Sequence, residues 1–410
     1  MTRERWLFVD PADSFGGHEV MLTRLVEELV RQGRVRPRVL ARDGTRLRER
    51  LGAHATAAAL PSRGTSPGSL FARLRAAWRD ARAIWGALRV EAPSLCVVAE
   101  GSILSQPIPA LVCRLAGTRV AVYLPLTQPT AEMGFRTGWL RDRLMKLGFA
   151  QVPHAWIVLT ADQARSFASW TGARRPILVL PNTVAPEIEQ QARAAANDPA
   201  PRAAGEALRI VVLGRLDVQQ KGLDLLLDHL DRPDACGGPV QVRLVGDGPS
   251  RAALATRVAG SPRLAARVRI EPWANPVPVL QDADVLLLPS RYEGVPLVML
   301  EAMALGVPVV ASSLPGTRPF VDESCLFPVG RLDLAFAIVD RLRDPATRAD
   351  IARINRATFA AQASHAAFSR AVAALSADLP SVVRAPGQRP KAALNARALA
   401  GKCPSDSRAS

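Results

Sequence analysis

Two glutamates, Glu293 and Glu301, lie eight positions apart in the stretch 289–312, which reads PSRYEGVPLVMLEAMALGVPVVAS. If the first lies in a turn and the second in the helix that follows, they are roughly 12 Å apart at ~1.5 Å rise per residue. The free backbone N–H groups at the start of that helix suit a phosphate. Two carboxylates that flank a phosphate could hold the hydroxyls of a sugar and of a ribose, which would fit a nucleotide sugar. A solvated turn glutamate beside a helix-surface glutamate is the simpler alternative, and the spacing alone favours it.

The residues around this pair predict a strand, a turn, a helix and a second strand, which form one parallel βαβ unit. The two short apolar runs at 284–288 and 307–311 are typical of buried strands. Pro296 suits the first turn of the helix and Gly306 suits its end. Because Glu301 lies in an otherwise apolar helix, its carboxylate needs a partner, and this favours a functional interpretation.

The stretch resembles the Glu-x7-Glu region of retaining GT-B glycosyltransferases (glycosyl transferase group 1, family 4), and it keeps almost all of the pattern PS-x-x-E-G-x-P-x-x-x-x-E-A-M-A-x-G-x-P-V-V-A-S. This family includes glycogen-synthase-like and lipopolysaccharide-assembly transferases. The resemblance implies an α/β chain of the GT-B class, with two Rossmann-like doubly wound domains that face a cleft. It also implies that Glu293 orients the donor sugar, that Glu301 binds the ribose, and that Gly294, Val295 and Pro296 belong to the donor site.

A second motif, GRLDVQQKG at 214–222, connects a predicted buried strand to a predicted helix. Gly214 lets the backbone turn sharply, Arg215 can bind two diphosphate oxygens at once, and Lys221 adds a point charge. A loop with two solvated cations is the alternative. The resemblance implies that Arg215 and Lys221 bind the donor diphosphate and that, with Glu293, they are the catalytic residues.

Two further segments of the second half are candidates for contact with the nucleotide base. Gly246 and Gly248 lie in the turn VGDGP, which resembles the family's turn beside the base, although an ordinary turn is the alternative. Trp273 lines the base pocket in one interpretation and packs in the core in the other. We reject a metal site at Asp282 and Asp284, because Asp284 opens a buried strand and the family generally needs no metal.

The first half offers fewer chemical signals. Gly16 and Gly17 precede the first predicted long helix and resemble the family's glycine pair, which lets a phosphate or an acceptor approach the backbone. His18 follows them and is a candidate phosphate contact, with a capping or surface histidine as the alternative. Many relatives carry a histidine at the end of the fourth or fifth strand of this domain, whereas this chain has none there. Glu100 is the best polar candidate on the acceptor side.

Composition limits the class of protein. The chain has 410 residues, 48% of them hydrophobic, which predicts two domains with substantial cores. Its five cysteines are widely spaced, which favours reduced thiols over disulfides or zinc ligands. The net charge is +16, and residues 1–185 carry 26 Lys and Arg against 14 Asp and Glu, a net +12. This asymmetry favours an anionic partner for the first half only. A general preference for arginine is the alternative, since only four of the 53 basic residues are lysine.

The alternation of predicted strands and helices gives the expected domain boundaries. We expect an acceptor-binding domain, a linker, a donor-binding domain, a C-terminal helix that packs back on the first domain, and a disordered basic tail. These are residues 1–183, 184–207, 208–360, 361–379 and 380–410.

The hypothesis is a retaining glycosyltransferase, of the hexosyltransferase type, that moves a sugar from a nucleotide diphosphate sugar to a lipid-linked glycan acceptor in surface polysaccharide synthesis. Its expected partners are the nucleotide sugar, the acceptor and an anionic membrane surface, with nucleic acid not favoured and no cofactor required. We expect it in the cytoplasm, at the inner face of the membrane, because no stretch has the roughly 18 uncharged apolar residues of a membrane span. The alternatives are a nucleotide-sugar 2-epimerase on the same fold and a non-catalytic nucleotide-sugar binding subunit.

Overall fold

The protein is described by a computed structural model that covers residues 3–12, 16–56, 58–62, 70–103, 107–194 and 206–384. The chain divides into two compact units. Unit 1 contains Met1–Pro181 and Phe368–Ser410, and unit 2 contains Asn182–Ala367.

Unit 1 is built on a six-stranded parallel sheet with the strand order β2-β1-β3-β4-β5-β6. Its strands are β1 Glu4–Asp10, β2 Val35–Ala41, β3 Leu95–Ala99, β4 Val120–Tyr123, β5 Ala155–Val158 and β6 Ile177–Val179. Its helices are α1 Gly17–Gln32, α2 Arg46–Leu51, α3 Leu70–Glu91, α4 Ile108–Leu115, α5 Gly138–Leu147 and α6 Ala161–Thr171.

The interior strands β3, β4 and β5 are continuous buried runs, because helices cover both faces of a doubly wound parallel sheet. All five residues of β3 and all four residues of β4 are buried. Pro37 lies in β2, which is an edge strand of the sheet, so its missing N–H interrupts no interior ladder.

Unit 2 has a second six-stranded parallel sheet, with the order β12-β11-β10-β7-β8-β9. Its strands are β7 Leu208–Leu213, β8 Val240–Val245, β9 Val268–Glu271, β10 Val285–Leu288, β11 Val309–Ser312 and β12 Leu326–Phe327. Its helices are α7 Pro186–Ala194, α8 Val218–Lys221, α9 Leu223–Leu230, α10 Arg251–Ala259, α11 Pro262–Arg267, α12 Pro276–Gln281, α13 Leu297–Leu305, α14 Leu332–Arg341 and α15 Pro345–Gln362. The last helix, α16 His365–Arg384, begins in unit 2 and continues into unit 1.

The predicted fold class, with two doubly wound parallel sheets, is confirmed. The structure differs in detail from the expected boundaries. The predicted linker, 184–207, contains helix α7, and its residues 195–205 lie outside the described part of the chain. The predicted disordered tail begins inside α16, which continues to Arg384, and the remainder of that tail lies outside the described residues.

The segment Pro345–Arg384, which contains α15 and α16, is long and apolar enough to cross a membrane by length and composition alone, and 44% of its most apolar window is buried. Its apolar side chains include Phe359, Phe368 and Val372, all of which are buried. Because core helices pass the same test, this is weak evidence for a membrane span.

Candidate functional site

The sheet of unit 2 reverses its strand order at β7, which pairs with β10 on one side and with β8 on the other. In open parallel sheets the loops at the carboxyl ends of the strands diverge at such a point and leave a crevice for a ligand. The loop after β7 carries the 214–222 motif, and the loop after β10 carries Glu293. The topology therefore brings the two predicted motifs to one edge of the sheet.

Lys221 and Glu293 meet at this edge. Lys221 Nζ donates a hydrogen bond of 2.5 Å to Glu293 Oε1, and the Ser290 hydroxyl donates to the same oxygen at 2.8 Å. The Gln220 side-chain amide lies 3.4 Å from the other oxygen, Glu293 Oε2. Glu293 is only 6% exposed, so these charged and polar donors offset the cost of burying its carboxylate. Sequence reasoning selected Lys221 and Glu293 but missed Ser290 and Gln220.

Glycines allow the neighbouring loops to approach each other. Gly214 and Gly246 have φ values of +139° and +149°, a region that side chains with a Cβ rarely adopt. A Cβ on Gly246 would lie 1.9 Å from the carbonyl oxygen of Gly214, and a Cβ on Gly248 would lie 2.5 Å from that of Leu216. Close backbone packing therefore explains Gly246 and Gly248, and the positive φ explains Gly214, whether or not a ligand is bound.

Arg215 lies in this loop with its side chain exposed. Its guanidinium forms no hydrogen bond or ion pair with the part of the chain that the structure describes, although its backbone carbonyl accepts the N–H of Asp217 at 2.9 Å. Lys221, in contrast, is already paired with Glu293. A planar guanidinium that is not engaged by a carboxylate suits an external anion such as a diphosphate.

Helix α13 begins directly after the Glu293 turn. Pro296 is its N-cap residue, one position before the first turn in which the sequence placed it, and Gly306 ends the helix in the left-handed conformation at φ +75°, as predicted. Glu301 is half-buried on this helix. The Asn182 side-chain amide donates a hydrogen bond of 2.9 Å to the carbonyl of Val295 and thereby supports the turn; sequence reasoning did not assign this role to Asn182.

The loop after β11 supports the same turn from a second direction. A Cβ on Gly316 would lie 1.4 Å from the carbonyl oxygen of Gly294, so the two backbones are in contact. The sequence placed Gly294 in the donor site but gave no role to Gly316. The contact fixes the position of the backbone between Glu293 and the start of α13.

An arginine connects the two functional loops. Arg291 forms a two-pronged ion pair with Asp224, with distances of 2.8 and 2.7 Å, and also donates to the carbonyl of Val218 at 2.9 Å. Its backbone N–H donates to the carbonyl of Gln220 at 2.8 Å. Burial by itself raises the pKa of Asp224, but the hydrogen bond and charge of Arg291 lower it below its ordinary value. Arg291 therefore holds the segment that carries Lys221 against the segment that carries Glu293.

The structure also locates the remaining candidate residues of unit 2, Trp273, Asp282 and Asp284. The Trp273 side chain is not packed in the core, since the residue is 68% exposed, and its backbone N–H donates to Asp247 Oδ2 at 3.2 Å. Asp284 is buried and accepts the backbone N–H of Arg209 at 2.8 Å. Asp282 forms ion pairs with Arg209 and Arg243. Both aspartates of the D-x-D pair are thus committed to arginines rather than arranged around a cation.

In unit 1 the candidates lie where β1 meets α1. Glu19 Oε2 accepts the backbone N–H of Gly16 at 2.7 Å, and Glu19 Oε1 lies 3.0 Å from Nδ1 of His18. The other ring nitrogen of His18 lies 3.5 Å from Asp10 Oδ2. Burial by itself lowers the pKa of His18, but the adjacent carboxylates of Asp10 and Glu19 raise it to about 10. His18 is therefore an imidazolium held between two carboxylates.

This trio also has the spacing of a metal site, since one ligand atom from each residue lies within 4.8 Å of the others. The two ring nitrogens of His18, however, face different carboxylates, whereas a shared ion would need one nitrogen and both carboxylates to converge. The arrangement fits an ion-pair network better than a metal. Gly17 is the exposed first residue of α1, and Glu100 is buried directly after β3.

The network predicts a pH-dependent stability. The pKa of His18 rises from 6.5 to about 10 on folding, so its stabilisation is complete below pH 6.5 and is lost as the pH rises towards 10. We expect His18→Gln to destabilise unit 1 by roughly 1–3 kcal/mol at pH 6 and by much less near pH 10. Melting temperatures of the two proteins across this range measure the difference, with His54→Gln as the control. A difference that does not change with pH would contradict the assignment.

Comparison with solved structures shows that the chain has the GT-B glycosyltransferase fold. It is similar to sucrose-phosphate synthase from Thermosynechococcus elongatus, with a TM-score of 0.72 and 17% identity over 92% of this chain and 100% of that one. It is also similar to Anabaena HepE in complex with UDP and glucose, with a TM-score of 0.67 and 18% identity over 92% and 100% of the two chains. Identities this low establish the fold alone.

Residues 207–344, which span β7 to α14, match the family described as Glycosyl transferases group 1. The chain is 30% identical over 148 residues to the amylovoran biosynthesis glycosyltransferase AmsK of Erwinia amylovora, covering 33% of this chain and 36% of AmsK. It is 35% identical over 79 residues to the UDP-Gal:alpha-D-GlcNAc-diphosphoundecaprenol alpha-1,3-galactosyltransferase of Escherichia coli, covering 19% and 20% of the two chains. The matched parts thus span about a third and a fifth of these relatives.

Proposed function

We propose that this chain is a retaining glycosyltransferase that moves one sugar from a nucleotide diphosphate sugar to a lipid-linked glycan acceptor. The observation that carries the proposal is the pairing of Lys221 with buried Glu293 at the switch point of the unit 2 sheet. The same loop carries Arg215, whose guanidinium has no ion-pair partner among the described residues. A diphosphate-linked sugar requires two cations for its diphosphate and a carboxylate that orients its sugar, and this edge of the sheet offers all three groups.

In the proposed reaction the bond between the anomeric carbon and the diphosphate oxygen breaks, and the acceptor hydroxyl oxygen forms the new bond to that carbon on the same face. The hydroxyl proton passes to an oxygen of the departing diphosphate. Negative charge develops on the departing diphosphate, where Arg215, Lys221 and the N–H groups at the start of α13 stabilise it. Glu293 orients the sugar hydroxyls, and Glu301 binds the ribose. The donor supplies the leaving group, so the proposal includes no cofactor.

The acceptor and the setting are inferred from relatives. AmsK is named for amylovoran biosynthesis, and the Escherichia coli relative is named for a diphosphoundecaprenol-linked acceptor. We place this chain in the same kind of process, the synthesis of a surface polysaccharide, at the cytoplasmic face of the membrane. Gly16, Gly17, His18 and Glu100 are the proposed residues on the acceptor side.

Thermal stabilisation by a panel of nucleotides and nucleotide sugars tests the donor site. Ligand at a hundredfold above its dissociation constant should add about 2.7 kcal/mol of stability. The stabilising sugar nucleotide is then incubated with and without lipid-linked acceptor, and the anomeric configuration of the product is read by NMR. No stabilisation by any nucleotide would overturn the proposal, as would conversion of the donor without an acceptor; an inverted product would overturn retention.

The Arg291–Asp224 ion pair gives a prediction for this reaction. We expect Arg291→Lys to raise the KM for the donor roughly tenfold. A lysine cannot form the two-pronged contact with Asp224, and without that contact the segment that carries Lys221 shifts. Initial rates at varied donor concentration measure this effect. The matched control is Arg353→Lys, whose ion pair with Asp350 lies on the surface of the same unit. Equal KM values for both variants would mean that Arg291 does not position the loop.

A further inference from the structure

Helix α3 presents an apolar stripe outward. Its exposed large side chains are Phe71 at 83%, Leu74 at 58%, Trp78 at 62% and Trp85 at 39%. Their spacing of three, seven and fourteen residues from Phe71 places all four within one narrow sector of the helix surface, since each residue advances by about 100°. An exposed stripe of this size needs a partner.

Arginines lie along one side of the stripe. Arg75, Arg79, Arg82 and Arg89 are all exposed, and none of them forms an ion pair with a described residue. The guanidinium of Arg82 lies 5.6 Å from the ring centre of Trp78, and that of Arg89 lies 5.7 Å from that of Trp85. The outward face is therefore both apolar and strongly basic.

The opposite face of α3 fixes this orientation. Asp80, buried on that face, pairs with buried Arg42 at 3.2 Å. Ile84, Ala87 and Leu88 are buried in the core of unit 1. The helix cannot turn its tryptophans inward without breaking a buried ion pair, which is costly.

A second helix of unit 1 has the same combination. In α5, Trp139 is 63% exposed and Leu147 is 72% exposed, and Arg143 and Lys146 lie exposed among them. Of the fourteen exposed large hydrophobic residues in the described chain, eleven belong to unit 1. Exposed apolar surface and excess positive charge therefore occur in the same unit.

We propose that the outward face of α3 binds the surface of an anionic phospholipid bilayer. Tryptophan rings favour the interface between lipid headgroups and acyl chains, and the arginines beside them are complementary to anionic headgroups. The absence of acidic side chains on this stripe argues against a second copy of the same basic face as the occupant. This proposal rests on the proposed function only because membrane binding would bring the chain to a lipid-linked acceptor. Membrane binding itself is measurable without turnover.

Co-sedimentation of the full chain with vesicles tests the proposal. We expect binding to vesicles of phosphatidylcholine with 30% phosphatidylglycerol, at least tenfold weaker binding to phosphatidylcholine alone, and loss of binding at high salt. Trp78→Ala with Trp85→Ala should weaken binding roughly tenfold or more, as should Arg79→Ala with Arg82→Ala. Leu334→Ala and Arg353→Ala, at exposed positions of unit 2, are the matched controls.

Stabilisation by a nucleotide monitors the folding of each variant and keeps this proposal separate from the donor site. If the α3 variants keep nucleotide binding and lose vesicle binding, the proposal is supported. Equal binding to neutral and anionic vesicles, or unchanged binding of the α3 variants, would overturn it. Self-association of the wild type that Trp78→Ala abolishes, without vesicle binding, would also overturn it and assign the face to a second copy of the chain.

Discussion

Lys221→Ala is expected to lower the rate of sugar transfer by roughly 10²- to 10³-fold, which is the usual cost of removing one group that stabilises developing negative charge. Lys221 Nζ lies 2.5 Å from Glu293 Oε1, so the substitution removes a charge at the diphosphate and also the main partner of the carboxylate that orients the sugar. Both losses act on the transition state. Initial rates with saturating acceptor measure the effect.

Two further variants define the origin of that loss. Glu293→Gln keeps the size of the side chain and its hydrogen bond with Ser290, so it removes the charge of the carboxylate without opening a cavity. We expect it to lower the transfer rate while the nucleotide diphosphate alone still binds. Arg353→Ala, which breaks an exposed ion pair with Asp350 in the same unit, should leave the rate within twofold. A Lys221→Ala enzyme that keeps full turnover would refute the assigned role.

Gly316→Ala is expected to abolish donor binding while it destabilises unit 2 by about 1–3 kcal/mol, the usual cost of overpacking. Its Cβ would lie 1.4 Å from the carbonyl oxygen of Gly294. The obstacle is backbone, so no rotation of a side chain can relieve it. The segment between Glu293 and α13 must move, and the N–H groups at the start of the helix move with it.

The measurements are the melting temperature and the dissociation constant of the nucleotide. Gly86→Ala is the matched control, because a Cβ on this glycine meets nothing within 4 Å and alanine favours the helix in which it lies. We expect that control to be as stable as the wild type or more so. Normal nucleotide affinity in Gly316→Ala would show that the contact with Gly294 has no part in the site.

The local elements of the second half were largely predictable. The apolar runs, Pro296 and Gly306 predicted the strands and the limits of α13 because caps and buried strands depend on nearby residues. Helix α7 was missed, since its segment is rich in Ala, Pro and charge. It is held by packing against α13 and by burial of Ile188, which local composition does not reveal.

The sequence by itself determined the two-domain α/β class, the limits of most elements and the residue types that suit a nucleotide sugar. Only the tertiary structure decided that Lys221 pairs with Glu293, 72 positions away, that Arg291 connects their loops, and that Gly316 supports the turn. The reason is physical. Helix and strand patterns come from neighbours in the chain, whereas these contacts depend on the order of β7, β10 and β11 in the sheet, which no local periodicity specifies.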